Sequence, residues 1–461
     1  MKVIQFVDEG LGNSAHLLIS ERAGVAALID PLRDVDRYLD AAAAAGVAIT
    51  HVLETHVHND FISGSREVLV KGGVKLYASA QAGLQFEHQA VQDGDVVTVG
   101  DLSLRVLATP GHTPEHVSYL ASDPAAPGTA PVLFSGGSLL VGAVSRTDLL
   151  GHEHATGLAR ELYRSLHEKV LPLPDDVTVY PTHGAGSFCT AAPNSARSTT
   201  IGAERRFNPY LQPMTSEVFT EAVLHAMPSY PAYFHHMRAI NQRGPRVLGG
   251  LPHLPALAAR EVQRRIGDGE AVLDLRPVQD YATAHIPGAY HAEHRDGFAS
   301  WVGWVAPFGT PLVLLADDAA VLPDAVRQLI RIGYDTLPGY LDGGMAAWQR
   351  AGFPVARFPV VTVGDVRARL AAGQPLLVLD VRQDGEWEAG HIANARHLEV
   401  GDVPAQGRDL PTDRPIAVHC GHSARAATAL SVLERQGMPN LQLLYGGFQA
   451  WSEAGLPTVV D

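Results

Sequence analysis

Cysteine is almost missing: the 461 residues hold two, Cys189 and Cys420. Two thiols so far apart support no disulfide framework, so each reads as a free thiol in a reducing compartment, with the cytoplasm as the expected location. No uninterrupted apolar run is long enough to span a bilayer. The opening MKVIQFVDEG has no basic region followed by an apolar stretch, so no export signal is expected. Positive charge is scarce too: 35 Lys and Arg stand against 49 Asp and Glu, a net charge of −14. That balance argues against nucleic acid and anionic membranes as partners. What is present is a globular composition, 46% hydrophobic and 18% charged. The length exceeds one core, and about three domains are expected.

The stretch that organises the chain is Glu54-Thr55-His56-Val57-His58-Asn59-Asp60-Phe61. It follows the apolar run 47–53, which reads as a buried strand. Two histidines two apart at a strand end point into one loop, and an aspartate two further on adds an anionic oxygen. Imidazole nitrogens suit zinc, iron and manganese, and the carboxylate favours a harder divalent ion. Other short apolar segments at 3–7, 16–19, 26–29 and 96–99 read as strands, and 38–45 as a helix. The strand over 102–107 runs into Thr109-Pro110-Gly111-His112-Thr113-Pro114-Glu115-His116. Segment 132–134 leads to Ser135-Gly136-Gly137-Ser138-Leu139, and 177–180 to Pro181-Thr182-His183-Gly184-Ala185-Gly186-Ser187-Phe188-Cys189. Four strand ends thus carry polar loops, three of them with histidine, which is how a sheet-based enzyme assembles a site.

Taken together, HVHND, PGHTPEH, FSGGSLL with SRTD, and THGAGS resemble the metallo-β-lactamase superfamily, whose fold is an αββα sandwich. Within it the details are similar to persulfide dioxygenases, especially those fused to rhodanese domains. Residues 199–209 (TTIGAERRFNP), 231–234 (PAYF), Asn241 and Gly244-Pro245 resemble that branch. The likeness covers residues 1–250, where the Pro/Gly-rich connector Gly249-Gly250-Leu251-Pro252-His253-Leu254-Pro255 marks an expected boundary.

Beyond it the chain repeats. Leu273-Asp274-Leu275-Arg276 returns as Leu379-Asp380-Val381-Arg382, His285-Ile286 as His391-Ile392, and His291 as His397. Gly343-Gly344, Trp348, Gly352 and Pro354 return as Gly446-Gly447, Trp451, Gly455 and Pro457. Each unit alternates strands with amphipathic helices, implying two small α/β domains at 256–357 and 358–461. Both resemble rhodaneses, which carry sulfane sulfur on a loop cysteine. In the second copy a buried strand delivers Cys420-Gly421-His422-Ser423-Ala424-Arg425 to a helix. A thiol before a helix N-terminus sees converging N–H groups and the positive end of the macrodipole, which favour thiolate and a persulfide anion. Cys420 and Arg425 are therefore the expected catalytic pair, with Gly421, His422, Ser423 and Ala424 as the substrate cradle. In the first copy Ala316 stands at the cysteine position and Val321 at the arginine position, so a structural or docking role is expected.

Carried over to these positions, the resemblance implies iron ligands at His56, His112 and residue 137. The family's third ligand is aspartate; this chain has Gly137. A rearranged site drawing on His58 as well would look more like zinc, with Asp60 close by. One divalent metal is expected, Fe(II) first and Zn(II) second, and weakly held. His183 and Cys189 are expected to meet substrate, Cys189 at the pocket mouth either as a secondary persulfide acceptor or as a small buried residue. The implied activity is sulfur metabolism: a persulfide dioxygenase-like domain with an altered metal site, joined to a sulfurtransferase. Its partners would be small thiol persulfides, thiosulfate or sulfite, and a second copy of the chain in a homodimer. The alternatives are a glyoxalase II-type thioester hydrolase, against which Phe61 and Gly137 both count, and a metal-poor persulfide-binding module serving Cys420.

Overall fold

Two six-stranded sheets carry the first of two units, which comprises Met1–Met227 and Phe234–Leu251. The structure is a computed structural model describing residues 1–190 and 195–460. The first sheet runs in sequence order through β1 (Lys2–Asp8), β2 (Asn13–Ser20), β3 (Val25–Ile29), β4 (Ala48–Leu53), β5 (Lys75–Ser79) and β6 (Gln89–Val91). The second contains β7 (Val96–Val99), β8 (Leu102–Ala108), β9 (Val117–Ser122), β10 (Val132–Gly136), β11 (Thr178–Pro181) and β12 (Thr199–Thr200).

Strand periodicity explains the layering. Along β8, Leu102, Leu104 and Val106 turn to one face, where they meet Leu18, Ala27, Ile29 and Leu53 of the other sheet. Leu107 turns to the opposite face and joins Leu133, Val179 and Leu162, the last from the helix His152–Ser165. In β2, Leu17 and Ile19 face outward onto Tyr38 and Ala42 of the helix Asp36–Ala44. Both sheets are covered on both faces, which gives the expected αββα sandwich. Four strand ends then meet at one edge: β4 leads to His56, β8 to His112, β10 to Gly137 and β11 to His183.

The second unit consists of Pro228–Tyr233 and the chain from Pro252 onward. It holds two five-stranded sheets whose strand pairs are parallel, as crossover helices require. One has the order β13 (Ala256–Leu257), β17 (Gly339–Leu341), β16 (Leu312–Leu315), β14 (Ala271–Asp274), β15 (Tyr290–His291). The other runs β18 (Val360–Val361), β23 (Leu441–Leu444), β22 (Ile416–His419), β19 (Leu377–Asp380), β21 (Arg396–His397). A short antiparallel pair, β20 (His391–Ile392) with β24 (Thr458–Val459), completes the second copy.

The sequence repeat is a repeat of hydrogen bonds. Arg276 and Arg382 each pair with the aspartate two residues earlier, and each also donates to a carbonyl eight residues on. His291 Nε2 donates to the Arg276 carbonyl at 2.9 Å, and His397 Nε2 to that of Arg382 at 2.8 Å. The indole N–H of Trp348 donates to Pro354 at 2.8 Å, and that of Trp451 to Pro457 at 2.9 Å. Within this unit the cysteine-free copy docks on the helix Ala424–Arg435 of the other. His285 lies 3.1 Å from Glu434, whose carboxylate also accepts the Gly288 N–H at 3.0 Å. Arg435 stacks over Tyr290 at 4.1 Å.

Trp348 and Trp451 are the largest buried anchors shared by the two copies. Trp348→Ala and Trp451→Ala should each destabilise the protein by about 3–5 kcal/mol, the cost of emptying a buried aromatic site. Equilibrium urea denaturation checks this; losses under about 1 kcal/mol would mean the indoles are not the anchors that the packing implies.

Candidate metal centre and sulfur-transfer loop

In the first unit the imidazoles converge because their other ring nitrogens are anchored. Thr55 donates its hydroxyl to Asp30 at 2.7 Å and lies 2.8 Å from His56 Nδ1. With that hydroxyl proton committed to Asp30, His56 Nδ1 must be the donor. His112 Nδ1 donates to the Arg146 carbonyl at 2.8 Å. His183 Nδ1 sits 3.0 Å from Asn13 Oδ1 and 3.4 Å from Asp60. All three therefore keep a lone pair on Nε2, and their rings lie close together, with centroids 4.8 to 5.3 Å apart. His56 Nε2 and His183 Nε2 lie 3.3 Å apart, and His112 Nε2 is buried without a hydrogen-bond partner. Facing lone pairs are repulsive unless a proton or cation lies between them, so this donor set fits a divalent metal. Burial first, and then neighbouring histidines, hold His56 and His112 well below the ordinary imidazole range, which keeps them neutral.

His58 behaves differently. Its Nε2 is 3.0 Å from Glu54 and 3.4 Å from Asp30. Burial would discharge it, but the Asp30 and Glu54 carboxylates outweigh burial and push it up to about 10. Glu54 is itself held by the hydroxyls of Ser63 and Ser65. A ring nitrogen of His58 still lies within 4.8 Å of donor atoms on His56 and His183, and its Nδ1 is buried without a hydrogen-bond partner. Asp60 accepts from Asn13 Nδ2 at 2.6 Å, and although burial opposes its charge, His183 and His58 hold it well below the carboxylate range. A pocket opens beside His56 and His58, walled by Val57, Ala78, Ala82, Leu84 and Phe86.

Gly137 has no space for a side chain. A Cβ there would fall 2.8 Å from Cγ of His112 and 3.1 Å from Ser145 Oγ, and its N–H donates to His116 Nε2 at 2.9 Å. Cys189, expected either near the pocket mouth or as a small buried residue, is 1% exposed, and burial and Asp60 push its thiol well up. Its donor atom lies within 4.8 Å of those of His112 and His183. Phe61 is fully buried and stacks on His58 at 4.1 Å. The residues that sequence reasoning missed are those that orient the ligands: Asn13, Asp30, Glu54 as a partner of His58, and the Arg146 backbone. None has a motif of its own, and Asn13 lies 170 positions from the His183 it orients.

In the second unit Cys420 follows β22 and precedes the helix Ala424–Arg435. The Ser423 N–H donates to Cys420 Sγ at 3.2 Å, and Ser423 has φ 117°, a costly conformation that keeps the loop tight. The loop is gripped from below: the N–H groups of Phe448 and Gln449 donate to the Cys420 and Gly421 carbonyls at 2.8 and 3.0 Å. Gly447, at φ +57°, permits this, since a Cβ would meet the Cys420 carbonyl and fall 2.8 Å from that of Gly421. Arg425 is paired with both oxygens of Glu386 and lies 5.5 Å over the Trp301 ring. Ala424 is half-buried and His422 exposed. In the other copy Leu315 occupies the register of His419, which sets Ala316 where Cys420 stands. A 3-10 turn, Ala319–Val321, replaces the loop.

These sites define an αββα domain with a candidate metal centre, joined to two α/β modules of which the second presents a loop cysteine. The family model of the metallo-beta-lactamase superfamily matches residues 10–183, and that of the rhodanese-like domain matches 258–351 and 362–454. The chain belongs to the metallo-β-lactamase superfamily, in the persulfide dioxygenase-like branch fused to rhodanese domains. It is 32% identical to the mitochondrial persulfide dioxygenase ETHE1 of Homo sapiens over 202 residues, 42% of this chain and 70% of that protein. It is 36% identical to a hydroxyacylglutathione hydrolase of Polaromonas sp. (strain JS666 / ATCC BAA-500) over 174 residues, 37% of this chain and 62% of the relative. A crystal structure of a metallo-beta-lactamase from Staphylococcus aureus subsp. aureus COL superposes with TM-score 0.66 at 30% identity, covering 74% of this chain and 98% of that one. Domains of both kinds place the protein in sulfur metabolism. No helix among the described residues is long and apolar enough to cross a membrane.

The close approach of His112 to Gly137 gives a direct test. Gly137→Ala should destabilise the first unit by about 1–3 kcal/mol through overpacking, whereas Gly157→Ala, which meets nothing within 4 Å, should not. Thermal and urea unfolding of the two variants compare them, and equal stability would contradict the packing described.

Proposed function

We propose that the chain is a sulfurtransferase at Cys420, joined to a persulfide dioxygenase-like metal domain whose ligand set is altered at Gly137. The observation that carries the reading is the Cys420 loop: a thiol set between a strand end and a twelve-residue helix, accepting the Ser423 N–H at 3.2 Å. The helix dipole favours negative charge on sulfur there. The Cys420 thiolate attacks the outer sulfur of thiosulfate, the S–S bond breaks, and sulfite leaves with the bonding pair. The product is a Cys420 persulfide anion, held by the same cradle of Gly421, His422, Ser423 and Ala424. An acceptor thiolate then takes the terminal sulfur and returns Cys420 to thiolate. With a low-molecular-weight persulfide as donor, the leaving group is its thiolate. Arg425, locked by Glu386, contributes fixed positive charge and holds the loop.

In the first unit, His56, His112 and His183 would hold one divalent metal, with His58 and Asp60 beside them; Fe(II) is the family's choice and Zn(II) suits the nitrogen donors. Bound there, a ferrous ion would supply the dioxygen chemistry that oxidises a persulfide. The chain's residues fix the imidazole tautomers, hold His58 as a cation beside the pocket, and wall that pocket with apolar side chains. Glutathione-type persulfides, thiosulfate and sulfite are the substrates this reading assigns. Thioester hydrolysis is the weaker reading, because Phe61 stands where a second metal would need a histidine.

Cys420→Ser should bring sulfur transfer from thiosulfate to cyanide down to background while leaving metal content unchanged. Arg425→Ala should lower kcat/KM about tenfold, or ~1.4 kcal/mol. Persulfide trapped with an alkylating reagent and mapped by mass spectrometry should appear on Cys420; transfer that survives Cys420→Ser sinks the assignment.

A further inference from the structure

We infer that Cys189 is a further ligand of this metal: its thiolate joins the imidazoles of His112 and His183, two of the three that hold the ion in the reading above, and sulfur supplies the negative charge that a carboxylate at position 137 would otherwise bring. This deepens the reading above and rests on the first unit holding a divalent metal.

Four observations converge on it. The ligand atoms of His112, His183 and Cys189 all lie within 4.8 Å of one another, and all three side chains are buried. Metal–nitrogen and metal–sulfur bonds of about 2.0 and 2.3 Å ask only a modest side-chain adjustment from there. His112 Nε2, on a residue 1% exposed, is buried among these donors without a hydrogen-bond partner. Such an atom is costly to leave unmet, and a cation meets it. Gly137 has no side chain to supply that charge, and the His112 ring stands beside it.

The fourth is that one residue positions both halves of the site. The Arg146 carbonyl accepts from His112 Nδ1 at 2.8 Å, while its N–H donates to the Cys189 carbonyl at 3.0 Å. Its guanidinium donates to the Phe188 carbonyl at 2.9 Å and is clamped by Asp148 at 2.7 and 2.8 Å. Ligands on two loops are thereby held in one frame, as a preorganised site requires. Metal binding converts the thiol to a metal-bound thiolate; its proton goes to solvent, the sulfur keeps the electron pair, and nothing is oxidised or reduced.

Cobalt(II) is the probe, because sulfur ligation to it gives a charge-transfer band in the near ultraviolet that nitrogen and oxygen ligation do not. The sequence has two cysteines, so Cys420→Ser leaves Cys189 as the only thiol. Full-length wild-type and Cys420→Ser proteins, loaded anaerobically with cobalt(II), should show the band with equal intensity per bound ion. Cys189→Ser and Cys189→Ala, checked for folding by circular dichroism, should lack it and bind cobalt roughly tenfold more weakly or worse. Cobalt bound one-to-one by Cys420→Ser without the band overturns the ligand assignment and leaves the metal-domain reading standing. Failure of the wild-type protein to bind cobalt overturns both, and sulfur transfer at Cys420, assayed separately, is untouched by either result.

Discussion

A carboxylate sealed from water ties the first unit together at the edge where its chemistry lies. Asp30 is 1% exposed, accepts the Thr55 N–H and hydroxyl, and receives the Thr182 hydroxyl. It thereby links the ends of β3, β4 and β11. Burial alone would protonate it, yet the His58 imidazolium and these donors hold it down at about 2. A buried charge this well satisfied is stable only while every partner remains in position, so one group enforces the alignment of three strand ends. The tautomer of His56 and the charge of His58 both follow from it. The convergence of the imidazoles is thus a consequence of an electrostatic lock set behind them.

Much of this was legible in the residues. The histidine-bearing motifs at strand ends implied the sandwich through their resemblance to the superfamily, and the repeat between residues 273 and 457, with strands alternating with helices, implied the paired α/β folds, because local periodicity acts within a few residues. The Cys420 loop was equally readable: a strand, a short polar loop and a helix are contiguous, so their geometry follows from order alone. What sequence could not supply were relations across the fold. The depth of Cys189, the steric pressure of His112 on Gly137 and the commitment of His58 to Glu54 and Asp30 depend on which loops face one another. His58 shows the difference: the His-x-His spacing makes it a candidate ligand, and the structure commits its Nε2 to carboxylates while keeping the residue beside His56 and His183.

The two rhodanese copies show how a fold outlives its chemistry. The first retains the aspartate–arginine pair, the buried indole and the histidine that caps a carbonyl, all of which serve packing. It has lost the thiol, the arginine and the tight loop, which serve only reaction. In exchange it supports the helix that follows Cys420 through Glu434 and Arg435, and it brings Trp301 over Arg425. Selection on the second copy therefore falls partly on residues of the first.

The second unit also includes Pro228–Tyr233, six residues flanked on both sides by chain that belongs to the first. Tyr233 packs against Gly303, where a Cβ would fall 2.8 Å from its ring, and Ser229 accepts from Gln383 at 3.3 Å. The polypeptide accordingly passes between units three times, and no single scission yields two whole bodies. A protease acting at the Gly249–Pro255 connector would release a rhodanese pair lacking an aromatic plug. A recombination event that moved the rhodanese pair to another gene would have to carry residues 228–233 or replace them. Six residues encoded within the first unit thus count structurally as part of the second.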